Sequence, residues 1–386
     1  MAPIVHGAAA LALLALPAHG GVIATDTAVP AVMDASGTEA DPAQYIVGNS
    51  GPVSVDFGTT SLTVGNFNSR NQLIVRNGST VTHLGLSMGL DLLSSHNLIL
   101  VEGAGSQLIR RPGDHEGIGA RPLYIGTDVL SSDNLLHIRD GGMVVGEALR
   151  LGNGGFSSTN NSPRNACLVE SGGSFATDGP FVGAGAVVIG DRAEDCSLTV
   201  RGSGTSFTAT GNNKTVSVGY GASGTGNILS VSDGAVFTCE TLTCGDFGSV
   251  NNLAIISDTG TVLTTEDLVI GRNSAAGNIF RIENGALLVV NRNSASQLQG
   301  LSMNEVSATG NLLQLKGGFL AWNGDHVADI AALVDEIEVW NGTAYETANG
   351  SAFFDVTYFA DDTSAKAATA DGGFAGYDGL GGYTLL

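Results

Sequence analysis

One recurring pattern constrains the fold of this chain more than any other feature. Its clearest copy runs from Asn227 to Phe237, with apolar residues two and four positions after the asparagine, then a glycine, then another hydrophobe. Cys196 replaces the asparagine in the fifth of nine copies. The other copies begin at Asn71, Asn97, Asn134, Asn165, Asn227, Asn252, Asn278 and Asn311. Nine copies in one frame indicate a repeat architecture.

A second phrase precedes each copy. Two apolar residues flank one position and a glycine usually follows, as in the segment from Val216 to Gly219. Both phrases place apolar residues two apart, which is the period of a strand with one buried face. The hydrophobe after the repeat glycine begins a third short strand. The sequence therefore predicts an all-β fold, a right-handed parallel β-helix (β-solenoid) of about nine coils.

The asparagines share parity with the buried positions that follow them. We therefore expect them to point inward at a corner and to form a structural ladder of side-chain amides, each bonded to the next coil. The fifth position after each asparagine points outward, and its alternating charges predict ion pairs between coils. These charges are Arg76, Glu102, Arg139, Glu170 and Arg201.

The extent of the repeats divides the chain into four segments. Residues 1–20 resemble a secretory signal peptide, because an apolar run precedes the small residues around Ala18. Residues 21–58 are expected to cap the N-terminal end of the solenoid, and residues 59–322 to form its coils. Residues 323–386 are expected to form an α+β cap. No later run of apolar residues is long enough to span a membrane once the signal is removed.

The C-terminal segment departs from the repeat pattern. Asp325 is expected to cap a helix, Asn341-Gly342 to form a hairpin turn, and the residues from Phe353 to Phe359 to form a last strand. These elements predict a closure for the open end of the solenoid.

One dense polar cluster is a candidate for chemistry. It lies in the longest insertion and contains Arg110, Asp114, His115 and Glu116. Enzymes that cut polysaccharides need carboxylates and basic residues that converge around the substrate. Because these four come from a single loop, we interpret them as a solvated insertion and keep them as catalytic candidates only for an enzyme alternative.

Glycine-rich and cysteine-containing segments could indicate a cofactor or metal site, but here they are interpreted as structural. The segment from Gly219 to Gly224 has the glycine spacing of a dinucleotide site, but a strand follows where that site requires a helix. No cofactor is therefore expected. No cysteine–histidine spacing predicts a metal site. The four cysteines are expected to be buried thiols: Cys167, Cys196, Cys239 and Cys244.

The two phrases together resemble the strand repeats of autotransporter passengers, which are bacterial secreted β-helix proteins. The segments from Ile337 to Gly342 and from Gly376 to Tyr383 are similar to the C-terminal part of large bacterial families that carry a Pro-Glu-Pro sorting signal. That signal is absent from this sequence. The resemblance implies a secreted or cell-surface protein and leaves the export route open.

Three functional hypotheses follow. The first is a non-catalytic extracellular or cell-surface structural or adhesive protein. The second is a polysaccharide lyase or glycoside hydrolase on the same scaffold. The third is a glycan-binding module, which predicts exposed aromatic rings along one face; only 6% of the residues are aromatic.

Charge and apolar patterning limit the partners. A net charge of −21 argues against nucleic acid. An extracellular polysaccharide, or a second copy of the chain, is the expected partner. Self-association would use an apolar stripe on the outward positions of the strands that follow the asparagines, unless another part of the chain covers it. The stripe consists of Ile74, Leu98, Leu100, Leu135, Leu168, Ile228, Leu253, Ile255 and Ile279.

Overall fold

The computed structural model describes residues 20–91, 94–111, 122–127, 130–153, 162–177, 186–209, 214–293, 300–370 and 376–386. Over these residues the chain is an all-β solenoid of about nine turns, in which parallel strands stack coil upon coil. The predicted fold class is confirmed. Each coil supplies three strands, and these form three ladders that we name sheets I, II and III in the order in which the chain visits them.

Sheet I contains the short strands of the phrase that ends in glycine. Its two apolar residues face the core, and equivalent residues pair in parallel between coils, as Val187 does with Val216. The strands are Val32–Met33, Leu62–Val64, Leu86–Met88, Leu123–Ile125, Leu149–Asn153, Val187–Asp191, Thr215–Tyr220 and Leu301–Glu305, with the second halves of Val236–Asp246 and Val262–Arg272.

Sheet II contains the strands that follow the asparagines. Thirteen strands form it, and all but the last pair in parallel. They are Gly21–Thr25, Ala43–Val47, Asn71–Val75, Leu98–Glu102, Leu135–Arg139, Ala166–Glu170, Ser197–Arg201, Ile228–Ser232, Leu253–Ser257, Ile279–Glu283, Leu312–Lys316, Ile337–Trp340 and Tyr345–Thr347.

Sheet III contains the strands that follow the repeat glycines. It is continuous with sheet I through two strands of 11 residues, Val236–Asp246 and Val262–Arg272, which run on from one sheet into the other. The remaining parallel strands are Ser54–Asp56, Thr80–His83, Gln107–Arg110, Met143–Gly146, Ser174–Thr177, Ser206–Ala209, Leu287–Val290 and Phe319–Asn323.

The core lies between the three sheets and consists of columns of like residues. In sheet III, Phe175, Phe207 and Phe237 occupy one inward position in successive coils, and their rings stack with centroids 4.6 and 4.9 Å apart. Strand spacing sets this distance, because parallel strands repeat about every 4.8 Å. The period of two in the sequence thus becomes a continuous apolar column along the solenoid axis.

The asparagine ladder runs along the corner between sheets I and II. All eight asparagines are 1% exposed or less. The Asn227 side chain and backbone N–H both donate to Oδ1 of Asn252, at 2.9 Å each, and Asn252 repeats these bonds to Asn278. Cys196 interrupts the side-chain ladder. At the other end, Asn304 accepts from both the side chain and the backbone of Asn311.

The glycine of the second phrase is explained by this ladder. A Cβ atom on Gly190 would lie 2.2 Å from the amide of Asn227 in the next coil, and one on Gly219 would lie 2.1 Å from the amide of Asn252. Both glycines also have positive φ angles, of 75° and 77°. The two sequence phrases therefore depend on each other, because the absent side chain of one coil leaves the space for the amide of the next.

The segment 21–58 supplies strands to all three sheets. Ala43–Val47 pairs in parallel with Asn71–Val75, and Ser54–Asp56 pairs with the strand that begins at Thr80. The parallel ladders therefore extend on the N-terminal side of residue 59, so that this segment meets the coils edge to edge and in register with them.

Antiparallel strands and two short helices close the C-terminal end. Tyr383–Leu385 pairs antiparallel with Thr357–Phe359 and with the last strand of sheet III, and Ile337–Trp340 forms a hairpin with Tyr345–Thr347 across the predicted Asn341-Gly342 turn. The reversal of strand direction ends the parallel stacking. The last strand predicted between Phe353 and Phe359 is shorter, because only its final three residues pair.

The helices are Val327–Ala331, Asp362–Thr369 and one 3-10 turn, Asp26–Ala28. The cap position lies one residue after the predicted Asp325: His326 occupies it without a side-chain capping bond, while Asp325 Oδ1 accepts from Val327 N at 3.4 Å. Asp361 caps the second helix, which the sequence did not predict, by accepting from Ser364 N. In the described part of the chain no helix is long and apolar enough to cross a membrane.

The outward positions of sheet II carry the expected charges and the apolar stripe. Arg139 Nη2 lies 2.6 Å from Glu102 Oε2, and Arg201 pairs with Glu170 in the same way. Most residues of the apolar stripe are half-buried by their neighbours in adjacent coils. Three stacked residues form a separate small cluster with the adjoining Leu98: Ile46, Ile74 and Leu100. Ile228, at 40%, is the most exposed of the stripe.

Removal of one ladder amide is expected to destabilise the solenoid strongly. Asn252→Ala would remove the acceptor of Asn227 and leave several buried polar groups without a partner, at a cost of about 3 kcal/mol in the free energy of unfolding. Urea denaturation measures this change. A loss below about 1 kcal/mol would show that the ladder amides contribute little to the free energy of unfolding.

The reverse change at the break in the ladder provides a matched comparison. Cys196→Asn would restore a side-chain amide between Asn165 and Asn227, where Gly152 already leaves the space that other coils use. The free energy of unfolding should rise by about 1 kcal/mol. A variant that is less stable than the parent would show that this corner requires the smaller cysteine.

Candidate functional site

Arg110 is buried, although the sequence placed it beside a solvated insertion. It ends the sheet III strand Gln107–Arg110, shares the inward face of that strand with Leu108 and is 2% exposed. The interpretation as a solvated residue is therefore wrong for Arg110, because the strand extends to this residue and turns its side chain to the inward face. Asp114, His115 and Glu116 lie outside the described residues.

The neighbours of Arg110 are charged residues that the sequence did not single out. Arg110 Nε lies 3.3 Å from Glu147 Oε2 of the following coil, and Lys214 Nζ donates to the Glu147 carbonyl at 3.3 Å. All three residues are at least 95% buried. Burial of a charge is costly unless an opposite charge is close, so this group is a pairing inside the solenoid and is closed to a large substrate.

His83 lies next to this group. It pairs in register with Arg110 and is fully buried. Burial, together with the nearby positive charge of Arg110, lowers the pKa of His83 to about 4. The imidazole is therefore neutral at pH 7 and becomes charged only under acidic conditions.

A second set of polar residues lies at the corner where the chain leaves sheet I. The register aligns Asp191 with Tyr220, Tyr220 with Asp246, and Arg272 with Glu305. Strands in a ladder lie about 4.8 Å apart, so the two aspartates stand roughly 10 Å apart with Tyr220 between them. We name these five residues the corner column.

Two arginines bond the aspartates of the corner column. Arg150 Nη1 lies 2.5 Å from Asp191 Oδ2, and Arg272 Nη2 lies 2.7 Å from Asp246 Oδ2. Asn273 Nδ2 donates to the other oxygen of Asp246 at 2.9 Å. Within the described residues Asp191 Oδ1 has no hydrogen-bond partner and is buried. A buried acceptor of this kind is one that a bridging water would satisfy.

The residue after each member of the corner column has a left-handed backbone. Glycine and asparagine adopt this conformation readily, whereas a bulky or β-branched residue adopts it only with strain. Two large apolar side chains are nevertheless held there and are 51% and 48% exposed: Phe247 and Val306. The φ angles are 56° at Arg192, 79° at Gly221, 49° at Phe247, 50° at Asn273 and 52° at Val306.

Aromatic rings and a guanidinium group meet at this corner. The ring centroids of Tyr220 and Phe247 are 5.1 Å apart at 55°, and Arg192 Cζ lies 6.0 Å from the Tyr220 centroid on the side of the preceding coil. Gly221 makes room for this arginine, because a Cβ atom there would lie 2.7 Å from Arg192 Cγ. We name Arg192, Tyr220, Phe247 and Asn273 the aromatic corner.

The electrostatics of the corner act on the phenol of Tyr220. Burial raises the pKa of Tyr220, and the carboxylates of Asp246 and Asp191 raise it further. The phenol therefore keeps its proton at neutral pH and remains able to donate a hydrogen bond. The aromatic corner thus offers ring faces, a hydroxyl group and guanidinium donors within three coils.

The four cysteines are free and buried, as expected. Burial raises the pKa of the Cys196, Cys239 and Cys244 thiols to about 12 and raises that of Cys167 as well. These thiols are therefore protonated and poor nucleophiles. Over the ranges that the structure describes, no three His, Cys, Asp or Glu side chains converge to hold a metal ion.

The sequence carried a weak signal for the aromatic corner. Tyr220, Asp246 and Arg272 each stand directly after the glycine of a sheet I phrase, at one frame position. In successive coils this position holds polar and aromatic residues, which form a column. The partners Arg150 and Arg192 come from outside this frame position, so only the folded chain brings them to it.

Comparisons with protein-family models, with curated proteins and with solved structures found no match.

Acidification is expected to destabilise the protein through His83. Its pKa is about 4 in the folded chain and 6.5 as a free side chain, so the unfolded state binds more protons between these values. The stability due to neutral His83 is complete above pH 6.5 and is lost as the pH falls toward 4. The loss reaches about 3 kcal/mol.

Urea denaturation of the parent and of His83→Leu at several pH values measures this loss. The variant should show a shallower fall in stability between pH 6.5 and pH 4. Parallel profiles for the two proteins in that window would show that His83 does not titrate as a buried neutral imidazole.

Proposed function

We propose that this protein is a non-catalytic extracellular rod with a structural or adhesive role, and that its partner is an extracellular polysaccharide. The observation that supports the proposal most directly is the continuous stacking of the parallel strands. In sheet II it extends from Gly21–Thr25 to Ile337–Trp340, which is a stack of roughly 50 Å at 4.8 Å per coil.

The way in which the rod is held together suits a mechanical role. Except at Cys196, side-chain amides bond neighbouring coils along one corner, and stacked phenylalanines form one column of the core. Each coil contacts chiefly its two neighbours, so bending requires the breaking of bonds in several sheets at once. The antiparallel strands at the C-terminal end oppose further parallel addition there.

The expected location agrees with this role. The signal-like segment at residues 1–20, the resemblance to bacterial secreted repeats and the net charge of −21 are consistent with a secreted or cell-surface protein. An acidic, low-aromatic surface also favours solubility outside the cell.

A glycan-cleaving enzyme is the second candidate, and one observation favours it. Asp191 and Asp246 are carboxylates on one face, roughly 10 Å apart, close to the separation found in inverting glycosidases. Each is already bonded by an arginine, however, and both are more than 90% buried. General acid catalysis needs a carboxyl group that can reach the substrate, so the adhesive function is better supported.

Retention without turnover is the expected result of a surface-binding experiment. The purified chain is passed over immobilised cellulose, chitin and polygalacturonate, and both bound protein and released soluble sugar are measured. An adhesive rod should be retained on at least one surface and release no sugar. Retention on none of them would contradict the adhesive role.

Release of sugar would favour the enzyme candidate, and variants locate its origin. Asp191→Asn and Asp246→Asn remove one negative charge each and keep the shape of the side chain. If sugar release occurs and either variant abolishes it, the non-catalytic proposal is wrong. The matched control is Glu102→Gln, which removes an ion-paired carboxylate on the outward face of sheet II. This variant should behave as the parent does.

A further inference from the structure

The aromatic corner of the rod carries a more specific inference, which builds on the adhesive function proposed above. We propose that Arg192, Tyr220, Phe247 and Asn273 form a binding site for a neutral saccharide, with one sugar ring lying on the exposed ring of Phe247. The site spans the coils that begin with the sheet I strands Val187–Asp191, Thr215–Tyr220, Val236–Asp246 and Val262–Arg272.

Exposure is the first argument for this site. Phe247 is 51% exposed, while its ring contacts only Tyr220 among the aromatic residues of the described chain. An aromatic ring that is fixed on one side and open on the other is a platform for the apolar face of a sugar. The other large exposed side chain at this frame position is that of Val306, which is aliphatic and provides no surface for stacking.

Backbone strain is the second argument. Phe247 has a φ of 49°, in the left-handed region that a phenylalanine enters only at a cost. The same frame position holds glycine in one neighbouring coil and asparagine in the other, which both tolerate this conformation. Phe247 therefore occupies a position at which both neighbouring coils have a residue better suited to a positive φ angle. Its ring points away from the core.

Hydrogen-bonding groups surround the platform. Asn273 and the half-exposed Arg272 lie on the side of the following coil, and both bond Asp246. Tyr220 carries a protonated phenol on the side of the preceding coil. A polar ring around an apolar platform matches a sugar, whose hydroxyl groups lie at its edge.

Charge balance selects a neutral sugar. The corner column and its partners contain three arginines and three carboxylates, two pairs of which are in direct contact, so the charges of this set cancel. An acidic polysaccharide would gain no net attraction there and would meet the repulsion of a chain with a net charge of −21. The charged residues are Arg150, Arg192, Arg272, Asp191, Asp246 and Glu305.

Titration calorimetry with the full chain tests this proposal. The probes are cellohexaose and laminarihexaose as neutral saccharides and hexagalacturonate as an acidic one. At least one neutral probe should bind, and Phe247→Asn should weaken that binding about tenfold or more through loss of the stacking surface. Because asparagine tolerates a positive φ angle, the variant should fold and should be as stable as the parent or more so.

Val306→Asn is the matched control. It makes the same kind of change at the equivalent position of another coil, where it relieves the same strain. It should raise stability in a similar way and leave saccharide binding unchanged. A weakening that is equal in both variants would attribute the effect to the backbone and would overturn the stacking site.

The other outcomes are equally decisive. Binding of hexagalacturonate alone, or of neither neutral probe, would overturn the proposed ligand class. Neutral binding that Phe247→Asn leaves intact would move the site elsewhere. In either case retention of the rod on a polysaccharide surface without turnover would leave the adhesive function standing, so that the failure of this site and the failure of that function are distinguishable.

Discussion

The close approach of a backbone glycine in one coil to a side-chain amide in the next governs this structure. Gly219 lies where a methyl group would collide with Asn252, and the Asn252 amide there bonds both Asn227 and Asn278. The amides repeat once per coil, at the spacing of the parallel strands, so that each can bond the next. This contact therefore sets the register of sheets I and II together, and two strands that run on from sheet III into sheet I carry the same register into sheet III.

A register that is fixed at one corner makes the other corners available for variation. Long insertions enter between sheets III and I, where the strand ends are joined by loops of unequal length. From residue 186 onward the segments between sheets I and II stay short, so the side chains after each glycine form an ordered column there. Asp191, Tyr220 and Asp246 are aligned for this reason, and the aromatic corner inherits their order. The proposed saccharide site is thus a by-product of the ladder that holds the rod together.

Buried charges occur beside this repetitive core. The sequence does not group Arg110 with Glu147 and Lys214, because Arg110 ends a sheet III strand while the other two precede sheet I strands, and only the stacking of the coils brings them together. A repeat frame predicts the typical occupant of a position and gives no warning of an exception. The same limitation applies to Cys196, which the frame identified as a substitution without indicating that the amide ladder breaks there.

The sequence alone determined the period of the coils, the inward faces of the strands and the place of the asparagines, because each depends on spacing along one chain. It also indicated the hairpin at Asn341-Gly342, whose turn chemistry is local. The burial of Arg110, the cap residue of the first helix and the meeting of Arg192 with Tyr220 were decided by the tertiary structure. These depend on which coils become neighbours and at what distance, and a linear pattern does not contain that information.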